Sequence, residues 1–448
     1  MTCFIYARTL LASALLSGCL SVSATEYNPS CQAVLAAKSL SLDTAINYGL
    51  CQNPNTQEVW AQLTAQQQAL KIANDSRYPN LSVQGSATSS RSDGNSNNSL
   101  GAQARLSYVL FDFGQRDAEQ GQAQALLTSA QFNVDTTVAT LSRDIVNAYL
   151  AVLKAQGQIE AAQQTLLATT KSVSSAEARY KVGTGTPLDV LQAKAAHAQA
   201  RLTQVQANSQ LATSRGQLAL AMGLKPTLLP SIAPIKDIPP DLAFAAQDVE
   251  SLLTQAVANR SEIKAAQASV VAAEKAILSA QSANKPTVSI SASTGLQESS
   301  GNNQTSGSIG LTVDVPFDLG GGKQARVRQS EAQKNAKVAA LSRSQQSIEQ
   351  QAWQAFYSAQ SAQETIQAAQ ESLDSSDKAA KVAIGRYDAG VGTMLEVLNA
   401  QSQLANSHQQ WVAARYDGLV ARTQLAYALG QKSLPTTEFT SAVESTQP

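Results

Sequence analysis

The chain has 448 residues, and its 33 basic and 33 acidic side chains give a formal net charge of zero at neutral pH. A neutral chain gives no electrostatic case for binding a nucleic-acid backbone, so that class of function is excluded. Aromatic residues make up only 5% of the chain, while Ala, Gln and Ser are abundant, which is typical of long helices that pack closely through small residues.

The amino terminus, residues 1–24, is predicted to be an export signal. Its apolar stretch is too short to span a bilayer as a stable helix. Two cleavage sites compete. Val22-Ser23-Ala24 provides the small residues that signal peptidase prefers. Leu16-Ser17-Gly18-Cys19 resembles a bacterial lipobox, which would shorten the signal to residues 1–18 and make Cys19 an acylated first residue. Either site predicts an exported protein.

Cys31 and Cys51 remain once the signal is removed. Two cysteines in an exported chain predict a disulfide, which would close a loop of about 20 residues and stabilise the fold by roughly 3 kcal/mol in the chain-entropy model. His197 and His408 are the two histidines of the chain, and neither lies near a cysteine in the sequence. We interpret both as surface helix residues, and the sequence predicts no metal and no cofactor.

Two segments with alternating apolar and polar residues predict two β-hairpins. The first lies at about 79–112, after a predicted helix from Ser41 to about Arg77, and the second lies at about 286–318. We interpret the polar stretches Asp93 to Ser99 and Ser299 to Gly307 as loops that interrupt them. The strands would then be about 10 residues long, which is the length that a membrane barrel uses. An ordinary soluble hairpin explains the alternation equally well.

A long helical hairpin is predicted after each pair of strands, at about 115–223 and about 324–430. Small or apolar residues recur in both with a mean step of about 3.5, which indicates left-handed coiled-coil packing. A helix of about 65 residues would be nearly 100 Å long. Each long helix ends at a glycine turn, and the two turns are Gly183-Thr184-Gly185-Thr186 and Gly390-Val391-Gly392-Thr393.

These elements belong to two tandem copies of one unit. RYKVGTGTPLDVLQA begins at Arg179 and RYDAGVGTMLEVLNA begins at Arg386, an offset of 386 − 179 = 207 residues. The same offset relates Gly223 to Gly430, and so much shared sequence predicts a duplicated half-molecule. The predicted parts are a first repeat at 39–224, a proline-rich linker at 225–245, a second repeat at 246–430 and a tail at 431–448.

Four strands of this length cannot close a membrane barrel alone, because the smallest membrane barrels use about eight. Lipid does not satisfy the backbone groups of an open sheet edge. If the strands span a membrane, other copies of the chain must therefore complete the barrel.

The chain resembles the TolC family of outer membrane efflux proteins from about Ser39 to Gly430. The residues that carry the resemblance are the duplicated RYxxGxGTxLxVLxA segment, the FDxG turn after the second strand of each copy, and the tandem order itself. The resemblance implies a mainly α fold with a transmembrane β-barrel contribution. It implies a homotrimer in which four strands per subunit build a twelve-stranded barrel, continuous with a twelve-helix periplasmic tunnel.

The family also implies a function and partners. Its members are passive exit ducts of tripartite efflux or type I secretion systems, and they export small molecules or proteins without catalysis. The partners implied are outer membrane lipid, a periplasmic adaptor (membrane fusion) protein and an inner membrane pump of the RND, MFS or ABC type, with no nucleic acid.

The resemblance assigns roles to residues near the turns. Family members place acidic residues in a ring at the periplasmic constriction, and the matching segment here keeps the acid at Glu396 but has Asn399 at the second position. Asp189 is the first-copy counterpart of Glu396, although an acid at the start of a helix is also favoured by the helix dipole. Some members lock the closed state with an Arg in the turn, where this chain has Gly392. The tips, Gly183 to Thr186 and Gly390 to Thr393, are expected to bind the adaptor.

Two other protein classes share part of the pattern. A structural periplasmic coiled coil would explain the heptads but leaves the strand pairs and glycine turns unexplained. An adaptor protein also has a long helical hairpin, but it requires β-rich domains and would not be duplicated end to end. An enzyme is the weakest interpretation, because the sequence has no phosphate-binding loop, nucleophile motif or metal-ligand cluster.

Overall fold

The computed structural model of the chain describes residues 39–92, 95–234, 248–299 and 302–431. Cys19, Cys31 and the predicted tail beyond residue 431 lie outside the described residues. The helices and strands are β1 (Ser39–Leu40), α1 (Leu42–Gln52), α2 (Pro54–Asp75), β2 (Asn80–Ser92), β3 (Asn95–Phe111), α3 (Gln115–Lys181), α4 (Pro187–Ala221), β4 (Ser231–Ile232), α5 (Val249–Asn259), α6 (Ser261–Ser282), β5 (Thr287–Ser299), β6 (Asn302–Asp314), α7 (Gly322–Asp388) and α8 (Met394–Ala428).

The second half of the chain repeats the helices of the first half at a constant offset of 207 residues. Helix α3 begins at Gln115 and α7 at Gly322, while α4 begins at Pro187 and α8 at Met394. Both long helices have 67 residues, and both returning helices have 35. The predicted fold class, a tandem duplication of long helical hairpins with four further strands, is confirmed.

The prediction of a single helix from Ser41 to about Arg77 is wrong, because the structure has two helices there, α1 and α2. Asn53 separates them with an extended backbone at φ −67° and ψ 129°, and Pro54 is the first residue of α2. A residue that precedes proline is driven out of the α region, which ends α1. The Asn53 side chain then caps α2 by accepting from the Asn55 amide at 2.9 Å and donates to the Ala221 carbonyl at 2.8 Å.

The strands of the two hairpins are longer than predicted. They form one antiparallel sheet in the order β2-β3-β5-β6, and the strands have 13, 17, 13 and 13 residues. The predicted loops are largely strand, because backbone pairing continues through their polar residues, as at Ser89 opposite Asn98 and Glu298 opposite Asn303. Ladder hydrogen bonds join main-chain groups, so Ser and Asn side chains do not interrupt them.

A β-bulge explains why the two FDxG turns do not follow the repeat offset. Phe111 and Phe317 are 317 − 111 = 206 residues apart, one residue short of the repeat. The register of β3 shifts between Val109 and Phe111, so the first copy accommodates its additional residue within the strand.

The two faces of the sheet differ in polarity. Side chains that share one face are paired across the strands, as Leu81 with Leu106 and Ile290 with Leu311. This apolar face is exposed in the protomer, with Leu81 68% and Ile309 77% accessible to solvent. The intervening residues on the opposite face of β2 are Asn80, Ser82, Gln84, Ser86 and Thr88. An amphipathic sheet of this kind suits a boundary between lipid and water.

The helices extend from the sheet as two antiparallel hairpins. Helix α3 packs against α4, α2, α6 and α8, whereas α7 packs against α8, α6 and α5. The largest buried cluster joins α1, α3 and α4 and includes Leu40, Tyr149 and Met222. Tyr149 lies on α3, and its hydroxyl is 3.0 Å from the Leu40 carbonyl and 2.7 Å from the Ala233 carbonyl. These contacts hold the parallel pair of β1 and β4 against α3. Among the described residues, no helix is both long enough and apolar enough to cross a membrane.

A buried charged group fixes the junction of α5 and α6. The Arg260 side chain is almost fully buried, and its Nη2 atom lies 2.5 Å from Oε1 of Glu262. The same guanidinium donates to the Tyr427 carbonyl at 3.3 Å and lies 4.3 Å from the centre of the Tyr427 ring. Burial alone would raise the pKa of Glu262, but the hydrogen bond and positive charge of Arg260 hold that pKa below its usual value.

We expect Glu262→Gln to destabilise the protein in a pH-dependent way. A carboxyl whose pKa is lowered by folding stabilises the fold above its unfolded pKa of about 4.3, and this stabilisation is lost as the pH falls through the folded pKa. Breaking a buried pair costs about 3 kcal/mol, so the melting temperature in detergent should fall clearly at pH 7. The difference from the wild type should shrink below a pH of about 4.

Glu274→Gln is the matched control on the same helix. Glu274 forms an exposed ion pair with Lys334 at 3.0 Å. Such a pair contributes at most about 1 kcal/mol, so this change should have a small effect on the melting temperature. Equal effects of the two substitutions at pH 7, or a Glu262→Gln effect that is independent of pH, would contradict the role given to the Arg260 group.

Candidate functional site at the hairpin tips

Both helical hairpins reverse through turns of the same backbone geometry. Gly183 and Gly390 follow the long helices in the left-handed region, with φ of 79° and 77°. Two residues later, the Gly185 amide donates to the Arg179 carbonyl at 3.1 Å, and the Gly392 amide donates to the Arg386 carbonyl at 3.1 Å. These bonds satisfy carbonyls that the ending helix leaves free, and only glycine adopts the left-handed step without strain.

The second glycine of each turn is required for a different reason. Neither Gly185 nor Gly392 has a positive φ, but each lies against the end of its own long helix. A Cβ at residue 185 would lie 3.0 Å from the Tyr180 nitrogen, and one at residue 392 would lie 3.1 Å from the Tyr387 nitrogen. The contact is with backbone, which cannot move aside as a flexible side chain can, so any larger residue must distort the turn.

The two acidic residues that follow the turns have different surroundings. Asp189 belongs to a capping box, in which its carboxylate accepts from the Thr186 amide at 3.0 Å while its own amide donates to the Thr186 hydroxyl at 3.2 Å. In the second copy, the Thr393 hydroxyl accepts from the Glu396 amide at 3.3 Å. The Glu396 carboxylate lies 4.0 Å from Nε of Arg386 and is 51% exposed.

Glu396 and Asn399 are both exposed on α8 and lie three residues apart, so they share one face of the helix. Met394, Val397 and Gln401 are buried on another face, where they pack towards the neighbouring helices. The face that carries Glu396 and Asn399 is therefore open to solvent in the protomer, where Glu396 approaches Arg386 at 4.0 Å.

The structure adds Arg179, which the sequence analysis did not assign. Its Nη2 atom donates to the Asp388 carbonyl at 2.8 Å, and its guanidinium lies 4.3 Å from the centre of the Tyr387 ring. Arg179 therefore joins the end of α3 to the end of α7. Both copies of the repeated segment begin with an Arg-Tyr pair, Arg179-Tyr180 and Arg386-Tyr387. The sequence does not indicate that the two arginines make different contacts.

Tyr387 is the other residue that the sequence analysis missed. It is buried in a small cluster with Ala176, Ala193, Met394 and Val397, which holds the two hairpins together near their tips. Burial raises the pKa of its hydroxyl, with a further contribution from the nearby acids, and the positive charge of Arg179 opposes the shift. Among the described residues, the Tyr387 hydroxyl has no hydrogen-bond partner.

The two histidines and Cys51 lie outside the turns. His197 is 3.4 Å from the Thr170 hydroxyl on an exposed surface. His408 is partly exposed and stacks on Trp411, and burial lowers the pKa of its ring. Cys51 is disulfide-bonded, and because Cys31 lies outside the described residues, their pairing remains a prediction. No group of residues in the described part of the chain could hold a metal ion.

Comparison with known proteins gives relatives over most of the chain. The profile of the outer membrane efflux protein family matches residues 45–224 and 252–431, which are the two repeats. The chain is 27% identical over 385 residues to the protein CyaE of Bordetella pertussis, covering 83% of this chain and 80% of CyaE. It is 27% identical over 331 residues to the toluene efflux pump outer membrane protein TtgF of Pseudomonas putida, covering 72% of this chain and 68% of TtgF.

The fold is also that of a solved structure. The outer membrane protein VceC of Vibrio cholerae superposes with a TM-score of 0.75 at 24% identity, covering 87% of this chain and 96% of VceC. The resemblance drawn from the tip segments is confirmed, since the family profile matches both copies of the repeat. The chain belongs to the outer membrane efflux protein family.

Proposed function

We propose that three copies of this chain assemble into the outer membrane duct of an export system and bind a periplasmic adaptor through their hairpin tips. As a family member, the protein is an exit duct located in the outer membrane and extending into the periplasm. In this proposal the duct is a homotrimer that works with the adaptor and with an inner membrane pump of the RND, MFS or ABC type. The chain serves transport and carries out no catalysis.

The observation that carries the proposal is the pair of open edges in the four-stranded sheet. Strands β2 and β6 lie at the two ends of the order β2-β3-β5-β6, and each has a partner on one side only among the described residues. The apolar face of the sheet is exposed, as expected of a surface that meets lipid. Backbone groups at an open edge cannot be satisfied in hydrocarbon, so neighbouring copies must supply the missing strands.

The internal repeat indicates how a neighbouring copy would pair. Strand β3 pairs with β5 inside the chain, and at the 207-residue offset β6 is the counterpart of β3 while β2 is the counterpart of β5. Ala104 lies opposite Thr294, and the corresponding residues are Leu311 and Ala87. Both belong to the apolar face, so β6 of one copy and β2 of the next join with their faces aligned.

The tips have the surface that a docking partner requires. Val182 precedes the first glycine turn and Val391 lies within the second, and they are 73% and 68% exposed although both are apolar. Helices of 67 residues are about 100 Å long, which places these turns far from the sheet and on the side of the inner membrane. A partner that covers both tips would remove this apolar surface from water.

The first prediction from this proposal concerns assembly. The purified protein in detergent should have about three times the mass of one mature chain, because four strands leave edges that lipid does not satisfy. Light scattering coupled to size exclusion measures this mass after subtraction of the detergent. A monodisperse monomer that inserts into bilayers would overturn the proposal.

The second prediction concerns the tip turns. Gly185→Val and Gly392→Val should greatly reduce export while leaving the yield of trimer unchanged, because a Cβ at either position contacts backbone at about 3 Å. Dye accumulation in cells that rely on this duct reports export. Thr184→Val is the matched control, because the second turn has Val391 at the equivalent position and the change removes only the 3.3 Å hydrogen bond from the Thr184 hydroxyl to the Arg179 carbonyl. Unimpaired export in both glycine variants would place the docking surface elsewhere.

The third prediction concerns Glu396. Three copies would form an acidic ring on the lumen side of the tips, so Glu396→Gln should reduce the preference for cations in planar bilayers. Asp189→Asn is the matched control, because the Asp189 carboxylate is engaged in a helix cap and should contribute little to selectivity. If reversal potentials in a salt gradient do not respond to Glu396→Gln, the constriction does not involve this residue.

A further inference from the structure

We propose that Arg105 places one positive charge per subunit in the lumen of the barrel, and that these charges favour anionic solutes in the outer part of the duct. The inference rests on the homotrimer proposed above. It assigns a selecting residue to the end of the duct that lies farthest from the hairpin tips.

Arg105 lies on the polar face of the sheet. It is paired across the strands with Ser82 on β2 and with Ser293 on β5. The next residue, Leu106, is paired with Leu81 on the apolar face, and successive residues of a strand point to opposite faces. Because the apolar face meets lipid in the proposed barrel, the Arg105 side chain points into the lumen.

Hydroxyl groups surround Arg105 on this face. The Ser293 hydroxyl lies 2.8 Å from the Ser308 hydroxyl, and the Ser82 hydroxyl donates to the Arg105 carbonyl at 3.4 Å. Within the described part of the chain, no carboxylate is at ion-pair distance from the exposed Arg105 guanidinium. Solutes in the lumen therefore encounter a charge that the protomer itself does not neutralise.

Asp314 is the other charged residue among the described positions of the polar face. In the pairing of β6 with β2 of the next copy, Asp314 lies opposite Gln84, which is paired in turn with Gln103. Arg105 of that copy is then two strands and two residues from Asp314, or about 12 Å between Cα atoms. This separation exceeds the Debye length of about 8 Å at physiological ionic strength, so the two exposed charges are largely screened from each other.

The proposed barrel is narrow enough for the arginines to act across its whole lumen. Twelve strands that are about 4.8 Å apart and tilted by about 40° close a barrel with a backbone radius of about 12 Å. The long Arg105 side chain extends towards the axis, whereas the short serine and aspartate side chains stay near the wall. Its field therefore reaches the axis, and rings of arginine or lysine favour anions in pores in this way.

A thiol beside Arg105 reports the local charge. Ser293→Cys places it on the adjacent strand and on the same face. We would treat the purified trimer with an anionic and a cationic methanethiosulfonate and measure both labelling rates by mass. Arg105→Gln should lower the ratio of the anionic to the cationic rate about fivefold at low salt, because a nearby charge changes the local concentrations of the two reagents in opposite directions. The difference should shrink at about 1 M salt, where the Debye length is about 3 Å.

Two variants serve as controls for the labelling. Arg105→Lys keeps the charge and should keep the ratio, which separates charge from the shape of the side chain. Arg91→Gln removes the same charge from the other face, because Arg91 is exposed and lies ten residues from Leu81 on β2. It should leave the ratio unchanged. The chain without the reporter gives the background from its own cysteines.

Ion selectivity provides a second measurement. The tips are in series with the barrel, so the comparison uses a Glu396→Gln background, which removes the proposed acidic ring. In a gradient of dilute salt across a planar bilayer, this chain should prefer anions. Adding Arg105→Gln should at least halve the reversal potential, and adding Arg91→Gln should leave it unchanged.

The outcomes separate this inference from the function it rests on. A monomeric protein overturns the homotrimer and the ring together. A trimer in which neither reagent reaches residue 293, or in which Arg105→Gln leaves the labelling ratio unchanged, overturns the charged lumen and leaves the homotrimer standing. An unchanged reversal potential overturns the role in selection. A lower ratio that Arg105→Lys restores, together with the smaller reversal potential, supports the inference.

Discussion

The hydrogen-bonding requirement of an open strand edge in lipid is the constraint on which the rest of the structure depends. A four-stranded sheet with one apolar face is well suited to a membrane except at β2 and β6, whose outer backbone groups need partners. The internal repeat provides a pattern for the missing partners, because β3 pairs with β5 within the chain and β6 and β2 are their counterparts. Helix α3, which follows β3, packs in turn against α6, which precedes β5.

The two copies keep one backbone and differ in the side chains that act at equivalent places. Asp189 caps its helix, whereas its counterpart Glu396 is exposed beside Arg386. Asn53 fastens the first helix junction through neutral hydrogen bonds, whereas its counterpart Arg260 uses a buried ion pair. Each difference places charge in the second copy where the first has a neutral or internally satisfied group. Duplication followed by such changes gives the two hairpins the same backbone with different charged contacts.

Much of the architecture could be predicted from the sequence, because its signals are local and repeated. The long helices follow from a 3.5-residue periodicity, and the turns follow from glycines that are required by a positive φ or by a close backbone contact. The break at Asn53 has only a local signal, Pro54, and a proline also fits the first turn of a helix, so the single predicted helix does not include the break. Strand length was underestimated because main-chain pairing continues through polar residues. The contact of Arg179 with Asp388 joins distant parts of the chain, and no local pattern reports it.

The constant spacing of 207 residues between equivalent helices has a consequence for the assembly of the proposed homotrimeric ring. A ring built from single repeats would require every junction between neighbours to form by collision of separate molecules, and each association costs several kcal/mol, about 4–15 on common estimates. Fusing two repeats makes every second junction intramolecular, so its effective concentration is set by the connecting chain and not by the amount of protein in the periplasm. Half of the junctions can then form as each chain folds, and dilution slows only the remainder.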